Sequence, residues 1–400
     1  MLLYILNSSL LVFSPIVFFF SIIILIISLR AKRLKPKVDF FPKVSVVVWF
    51  WKGGNIIERK IKNLLSLSYP KEKYEIIIVD NHSNDETEKV CKIYEKKGLI
   101  KFYKTPKQYS KKAFGLDEAI KKLAKNEIIA ITDPDGICEK DWLKKIVQPF
   151  KNPNVAAVAG MIHCGNYYEN LLTKFRAIED EWFYNISTTG TRFKKDVQFF
   201  CGANYAVRKS SLEAIGLHGK KTLVEDYETS LIMQSRGMKI EVVDANVWQE
   251  EVSTLKEYYR QRIRWYGGGA QLYKKYGSLF VHLLKKKPLG TFLLHVRHSV
   301  PLLSFASLSM FTLSLTLKNT LSILINFLSF LNLNVSLAIG LMKFRKKKLI
   351  KYVPLYLVID PILILSTLGK VFFIKKKGKT IEWKSLGKNY YHRGVKLILD

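Results

Sequence analysis

Cysteine is scarce and unpatterned: Cys91, Cys138, Cys164 and Cys201 are the only four in 400 residues, and no two form a C-x-x-C pair. A disulfide-stapled or zinc-cluster protein is therefore excluded, and the thiols read as reduced, mostly buried and structurally incidental. Acidic residues are also few. Against 33 Asp+Glu stand 65 Lys+Arg, a formal net charge of +32, so basic partners are excluded and anionic ones expected: nucleic acid, anionic lipid or phosphorylated substrates. Charge is missing altogether from residues 9–29, SLLVFSPIVFFFSIIILIISL, and Arg30, Lys32, Arg33, Lys35 and Lys37 follow at once. That is a membrane span with a cytoplasmic basic flank. A cleaved signal peptide would carry its charges before the apolar run and a small-residue site after it, so the span reads as a retained anchor with its N-terminus outside.

From Pro42 short apolar runs alternate with helical patterns. VSVVVWF (44–50), YEIIIVD (74–80), LIKFYK (99–104) and IIAITD (128–133) read as strands, and 58–67, 85–97 and 110–124 as helices between them. This alternation implies an α/β fold with a mostly parallel sheet and helices on both faces. VAAVAGMI (155–162) is a further strand, residues 166–196 look helical, and FFCGANYAVRKSSLEAIG (199–216) places Gly202 and Asn204 in a tight turn before a helix.

The stretch NEIIAITDPDG (126–136) carries the first candidate chemistry. Pro134 and Gly136 stop the strand, leaving Asp133 and Asp135 at its carboxyl end, where ligands bind in open α/β sheets. Two carboxylates one residue apart either share a divalent cation through hard oxygen ligands or form a polar turn capping the strand. Asp80 ends another strand on the same sheet edge, where a carboxylate can accept hydrogen bonds from a base or ribose; alone, it reads equally as a turn residue. In TLVEDYETSLIMQSRG (222–237), Glu225 and Asp226 open a helix, a position that the helix dipole favours and from which a carboxylate can also act as general base. STLKEYYRQRIRWYGGG (253–269) ends on three glycines, and its Gln261, Arg264 and Trp265 share one helix face. Arg264 can fork onto a phosphate and Trp265 offers a flat face to a sugar; the same segment also reads as an interfacial helix with snorkelling arginines.

Asp80 in IVDNHSNDET, Asp133-x-Asp135, Glu225-Asp226 and Gln261-x-x-Arg264-Trp265, in this order, resemble the D, D, D, QxxRW signature of membrane-integrated family 2 inverting glycosyltransferases, such as cellulose and hyaluronan synthases and ceramide glucosyltransferase. SKKAFGLD (110–117) and FCGANYAVRK (200–209) are similar to two further motifs of that family, and the resemblance covers roughly residues 42–270. It implies a GT-A-like nucleotide-sugar-binding domain. By the resemblance, Asp80, Lys112 and Asp133 bind the nucleotide, Asp135 is the ligand for Mg²⁺ or Mn²⁺, and Asp226 deprotonates the acceptor. Gln261, Arg264 and Trp265 close over the diphosphate and acceptor sugar, and Glu225, Gly202 and Asn204 support the site. There is one departure. Where the family has a glutamate after the first strand, this chain has Gly53 in WFWKG, and Trp49 and Trp51 beside it offer faces to stack on a base.

The resulting layout is an N-terminal anchor (1–30), a cytoplasmic catalytic domain (42–252), interfacial helices (253–287), a C-terminal transmembrane region (288–375) and a basic cytoplasmic tail (376–400). Apolar stretches at 299–317, 320–342 and 352–374 are each long enough to span. FRKKKLIK (344–351) and KKKGKTIEWK (375–384) are both basic, so both belong in the cytoplasm, which one span between them does not allow. The third stretch, broken by Pro354, Asp360 and Pro361, is therefore expected to be irregular or re-entrant, the other arrangement being one stretch in the interface. The tail 378–394 resembles the cytoplasmic ending of similar synthases. These features point to an integral cell-membrane enzyme taking a nucleotide-sugar donor and a lipid acceptor. Polymer secretion needs a channel and few helices are present, which places a processive polysaccharide synthase second. A non-catalytic basic protein binding anionic lipid or nucleic acid explains the charge but not the placed acidic residues, and no nucleic-acid-binding module appears, so nucleic acid is not expected as a partner.

Overall fold

The computed structural model describes residues 1–54, 56–193, 196–376 and 395–399. They form two compact units, one of residues 34–173, 197–286 and 371–400, the other of residues 1–33, 174–196 and 287–370. Residues 174–193 and 196, inside the expected catalytic block, thus cluster with the candidate membrane-spanning helices.

The first unit is built on strands β1 (Val44–Phe50), β2 (Tyr74–Asp80), β3 (Lys101–Lys104), β4 (Ile128–Thr132), β5 (Ile137–Cys138), β6 (Val155–Cys164), β7 (Asn204–Arg208) and β8 (Lys239–Gln249). They make one sheet in the order β3-β2-β1-β4-β7-β6-β8-β5. β1 pairs in parallel with β2 and with β4, so Asp80 and the residues after Thr132 emerge on the same edge, as expected. Every residue of β1 is buried, because helices cover both faces. On one face Val44, Val46, Val48 and Phe50 meet Ile57, Ile61 and Leu64, the apolar stripe of the helix Ile57–Leu65. On the other, Val47 and Trp49 meet Leu116, Ala119 and Ile120 of the helix Lys112–Leu123. Trp49 is therefore a core side chain, 7% exposed, and not a platform for a base: strand alternation turns it inward onto the second helix layer.

One feature of this unit differs from the sequence-based reading. β7 intervenes between the Gly202 turn and the next helix, and it runs antiparallel between β4 and β6; five residues alternating between two buried faces carry too weak a period to stand out. Where interfacial helices are expected over 253–287, Gln261 lies on a helical segment, Leu255–Lys286, that kinks at Tyr276 and passes through Gly267, Gly268 and Gly269. A Cβ on Gly268 would lie 2.9 Å from Val224 Cγ1 and 3.2 Å from the Leu223 carbonyl carbon, so the glycine is a point of close approach inside the helix.

In chain order the helices are α1 (Leu2–Arg30), α2 (Ile57–Leu65), α3 (Thr87–Lys96), α4 (Lys112–Leu123), α5 (Trp142–Ile146), α6 (Leu171–Asp180), α7 (Ser187–Gly190), α8 (Lys209–Ala214), α9 (Glu225–Ser235), α10 (Leu255–Lys286), α11 (Pro288–Val296), α12 (Val300–Thr316), α13 (Thr320–Lys343) and α14 (Val353–Lys376). α1, α13 and the segment 347–374 are long and apolar enough to cross a membrane, and α11 with α12 forms a pair bent by 61°. The expected break in the third apolar stretch is absent. α14 continues through Pro361, Pro354 lies in its first turn, where a missing N–H costs nothing, and Asp360 is buried in protein. The irregularity sits in the α11–α12 pair instead. Within this unit α1 and α13 run parallel, joined by Asn319 Nδ2 to Asn7 Oδ1 (3.1 Å), Asn326 Nδ2 to Ser14 Oγ (2.8 Å) and Asn332 Nδ2 to Ser21 Oγ (3.1 Å). Parallel packing brings the basic ends of both helices together, as the positive-inside tendency requires. The tail 378–394 lies outside the described residues.

Candidate active site

The Asp133–Gly136 turn closes with Gly136 N–H donating to the Asp133 carbonyl (3.3 Å) and is gripped from α2. Lys60, fully buried, donates from Nζ to Thr132 Oγ1 (3.0 Å) and to the Gly136 carbonyl (2.8 Å), and Arg59 reaches the Asp135 carbonyl (3.3 Å). Sequence reasoning missed both residues. The available signal was a lysine on the apolar stripe of α2, between Ile57 and Ile61, where a charge is costly unless its hydrogen bonds are filled.

Lys112, at the start of α4, pairs with Asp133 and donates to the Gly202 carbonyl (2.9 Å). Burial pulls its pKa down, but the neighbouring charges of Asp133, Glu225 and Asp226 outweigh that and raise it, so the ammonium stays charged. Gly202 in turn donates its N–H to Asp226 Oδ2 (2.7 Å), whose Oδ1 accepts from Tyr227 N–H (2.9 Å). The chain Asp133–Lys112–Gly202–Asp226 thus joins two acidic positions far apart in sequence. Next to Asp226, Glu225 has its pKa raised by burial and by the Asp226 charge, opposed by Lys112 and Arg264. Arg264 is therefore within electrostatic reach of this pair.

Asp80 is fully buried. Its Oδ1 accepts from Ser83 N–H (3.0 Å) and Oγ (2.5 Å), a side-chain-capped turn that the D-x-x-S spacing announces. Its Oδ2 is buried with no hydrogen-bond partner among the described residues, and so is Gln261 Oε1. Burial raises the Asp80 pKa, Ser83 opposing. Leaving such an atom unpaired costs about 1–3 kcal/mol, which favours a polar ligand there. At the position of the family's glutamate, Gly53 N–H donates to Thr87 Oγ1 (3.2 Å), and Trp51 beside it is half-buried under the Lys52 ammonium, 5.2 Å from the ring centroid.

Asn204 has a structural position. Fully buried, it accepts from Trp142 Nε1 (2.8 Å) and donates to the Met161 and Ala245 carbonyls (2.8 Å each), fastening α5, β6, β7 and β8 together. On α10, Gln261 is buried and Trp265 half-buried. The Arg262 guanidinium lies 4.4 Å from the Trp265 ring and Arg264 lies 6.0 Å from it. α10 docks on the segment before Glu225 through Gly268 and through Gln271 Oε1, which accepts from Leu223 N–H (3.1 Å).

Among the described residues no cluster of three or more His, Cys, Asp or Glu side chains occurs; the carboxylates at the strand end are Asp133, paired with Lys112, and the buried Asp135. Hard carboxylate oxygens at a strand end fit Mg²⁺ or Mn²⁺ when a diphosphate and water complete the shell, the arrangement typical of Mg²⁺.

A mixed, mostly parallel sheet with an acidic turn at its ligand edge defines the class: a GT-A-like nucleotide-sugar transferase fold. A mannosyltransferase from Pyrobaculum calidifontis, solved with GDP-Man and Mn²⁺, matches with a TM-score of 0.57 over 89% of this chain and 99% of that one at 18% identity. The family profile described as glycosyltransferase like family 2 matches residues 42–268, more than half of the chain, and the chain belongs to that family. Among curated relatives, a probable glycosyltransferase of Bacillus subtilis, YdaM, is 30% identical over 260 residues, 64% of this chain and 62% of that protein. A beta-monoglucosyldiacylglycerol synthase of Nostoc is 29% identical over 258 residues, 62% of this chain and 53% of that protein. The chain thus matches a little over half the length of these relatives.

Proposed function

We propose that the protein is a membrane-bound inverting glycosyltransferase that moves a sugar from a nucleotide-sugar to a lipid acceptor at the cytoplasmic membrane face, with Mg²⁺ or Mn²⁺ and with Asp226 as general base. The observation carrying this reading is the Lys112–Gly202–Asp226 linkage, which sets a carboxylate and a cation-flanked acidic turn on one framework. Direct displacement at the anomeric carbon needs an activated hydroxyl on one side and a stabilised diphosphate on the other. Asp226 takes the proton from the acceptor hydroxyl, oriented by the Gly202 and Tyr227 N–H groups on its two oxygens. Asp80 receives a base or ribose hydrogen bond at Oδ2. Lys112, held charged, and Arg264 face the departing diphosphate, and Trp265 packs on the acceptor sugar. Asp135 would hold a divalent ion, with Asp133 against the nucleotide, and that ion would supply charge neutralisation of the diphosphate. Span number and the lipid-glycosylating relative support a lipid acceptor, and the shared basic ends of α1 and α13 support the cytoplasmic placement.

The test is nucleotide release by purified full-length protein across UDP- and GDP-sugars, with Mg²⁺ or Mn²⁺, with and without membrane lipid extract, beside Asp226→Asn. Release that requires lipid, metal and Asp226 is expected. Release without lipid, accompanied by lengthening glycan, would favour a polysaccharide synthase instead. Release undiminished in Asp226→Asn would remove the base assignment.

A further inference from the structure

A second group of buried ionisable side chains lies behind the site and takes no part in the chemistry above. Asp117 on α4, His218 in the segment before α9, and Tyr205 on β7 are 4%, 3% and 2% exposed. His218 Nδ1 is 2.5 Å from Asp117 Oδ1, and its Nε2 is 2.6 Å from the Tyr205 hydroxyl. The other Asp117 oxygen meets Lys220 Nζ at 2.5 Å. The Tyr205 hydroxyl, the two ring nitrogens of His218 and the Asp117 carboxylate thus form one continuous hydrogen-bonded line. Burial keeps the phenol protonated by raising its pKa well above the ordinary value. For Asp117 burial works the other way from its partners, and the bonds and charges of His218 and Lys220 prevail, lowering its pKa.

These contacts converge on one segment. Residues 217–224 form an arch that delivers the chain to Glu225 and Asp226, and Leu217 enters it with φ +75°, a left-handed conformation that a leucine adopts only when its surroundings impose it. The arch is held at its start by Asp117 through His218, whose backbone N–H also donates to Asp117 (3.3 Å). At its end Glu228 of α9 accepts from Lys221 N–H (3.0 Å) and Thr222 N–H (2.7 Å). The helix bearing Asp117 also bears Lys112, five residues earlier on α4, and the strand bearing Tyr205 starts at the turn whose Gly202 grips Asp226. A single imidazole therefore cross-links the elements that carry Lys112, Gly202 and Asp226.

We propose that Asp117, His218 and Tyr205 form a positioning relay that fixes the arch 217–224 and thereby the alignment of Asp226 against the Lys112–Asp133 pair. This rests on Asp226 being the base. A polar bridge suits the task because it has one low-energy geometry, whereas apolar packing at the same place would tolerate a shifted arch. Misplacing a catalytic group by about 1 Å can cost about a hundredfold in rate.

The experiment compares full-length wild type with His218→Leu, His218→Gln and Tyr205→Phe, using the nucleotide-sugar that supports nucleotide release, and reads kcat, donor KM and the thermal midpoint. His218→Leu is expected to lower kcat roughly tenfold to a hundredfold with donor KM little changed, and to lower the midpoint as well, because it strands the Tyr205 hydroxyl and an Asp117 oxygen. His218→Gln, which restores a donor and an acceptor, should recover much of the loss. Tyr205→Phe removes one hydroxyl and serves if the leucine variant does not fold; it should also lower kcat selectively. Wild-type kcat in His218→Leu and Tyr205→Phe, or a loss shared equally by kcat, KM and midpoint, would overturn the relay. Asp226→Asn run alongside separates the two ideas, since full turnover there overturns the base assignment whatever the relay variants do.

Discussion

Asn204→Ala removes three hydrogen bonds at once and leaves their partners with nothing to replace it. Trp142 Nε1, the Met161 carbonyl and the Ala245 carbonyl each meet the amide at 2.8 Å, and the site is fully buried, so water does not reach it. At about 1–3 kcal/mol per stranded group, the expected loss is on the order of 3–9 kcal/mol, a large share of the roughly 5–15 kcal/mol of a typical domain. At about 2–4 °C per kcal/mol for a domain of this size, the midpoint should fall by more than about 6 °C, measured by tryptophan fluorescence on heating. Gly160→Ala should act on the same amide from outside, because its Cβ would lie 2.4 Å from Asn204 Nδ2 and Oδ1. The two changes are therefore expected to be less than additive in a double-mutant cycle. The folded fraction of either variant should keep donor affinity within a few-fold, because the amide is consumed by the framework. A midpoint within 2 °C of wild type, or a donor affinity lost while the midpoint holds, would refute the structural reading of Asn204.

Other expectations follow from the same geometry. Asp80 has a raised pKa in the fold, so the folded state binds its proton more tightly than the unfolded chain does. Its ionisation therefore costs stability as pH rises through the ordinary carboxylate value towards the raised one, and that cost is absent below both. Asp80→Asn should raise the thermal midpoint at neutral pH and much less near pH 3 while weakening nucleotide binding; an unchanged nucleotide affinity by calorimetry would argue against its role. Lys112→Met should leave Asp133 and the Gly202 carbonyl without their shared donor and lower turnover by at least tenfold, about 1.4 kcal/mol; turnover within twofold of wild type would count against the linkage. In the membrane unit, cysteines at Ser21 and Asn332 should cross-link under mild oxidation, whereas the pair Ser21 and Asn319 should not, because α1 and α13 run parallel in the observed register. The reverse pattern on a gel would show another packing.

Much of the organisation was legible in the chain because it depends on local pattern. Apolar runs bounded by Pro, Gly and Asp define β1, β2 and β4, and the parallel pairing of β1 with the other two puts Asp80 on the same sheet edge as the Asp133–Asp135 turn. The acidic pair at 225–226 and the Gln261–Arg264–Trp265 face could be named for the same reason, each lying within one helical turn. Proline was less informative: its effect depends on the turn it occupies, so Pro354 and Pro361 suggested a break in a helix that continues.

Tertiary structure alone decided what each candidate does with its atoms. Trp49 is on the inner face of β1 because strand alternation meets a second layer of helices there, and that removed it as a base platform. Asn204 became a clamp because β6 and β8, distant in sequence, bring carbonyls to its amide. Lys60, Asp117, Tyr205 and His218 carry no local signature strong enough to mark them, since hydrogen bonds across 13 to 101 residues have no period to read. What the sequence determined by itself was which strands and helices exist and which acidic residues end up at the sheet's ligand edge, through hydrophobic periodicity and turn chemistry. Which of those residues are aligned, charged and held was settled by long-range packing, which brings Asp133, Glu225 and Asp226 around Lys112 to keep it charged against its burial and gives Asp226 its backbone partners.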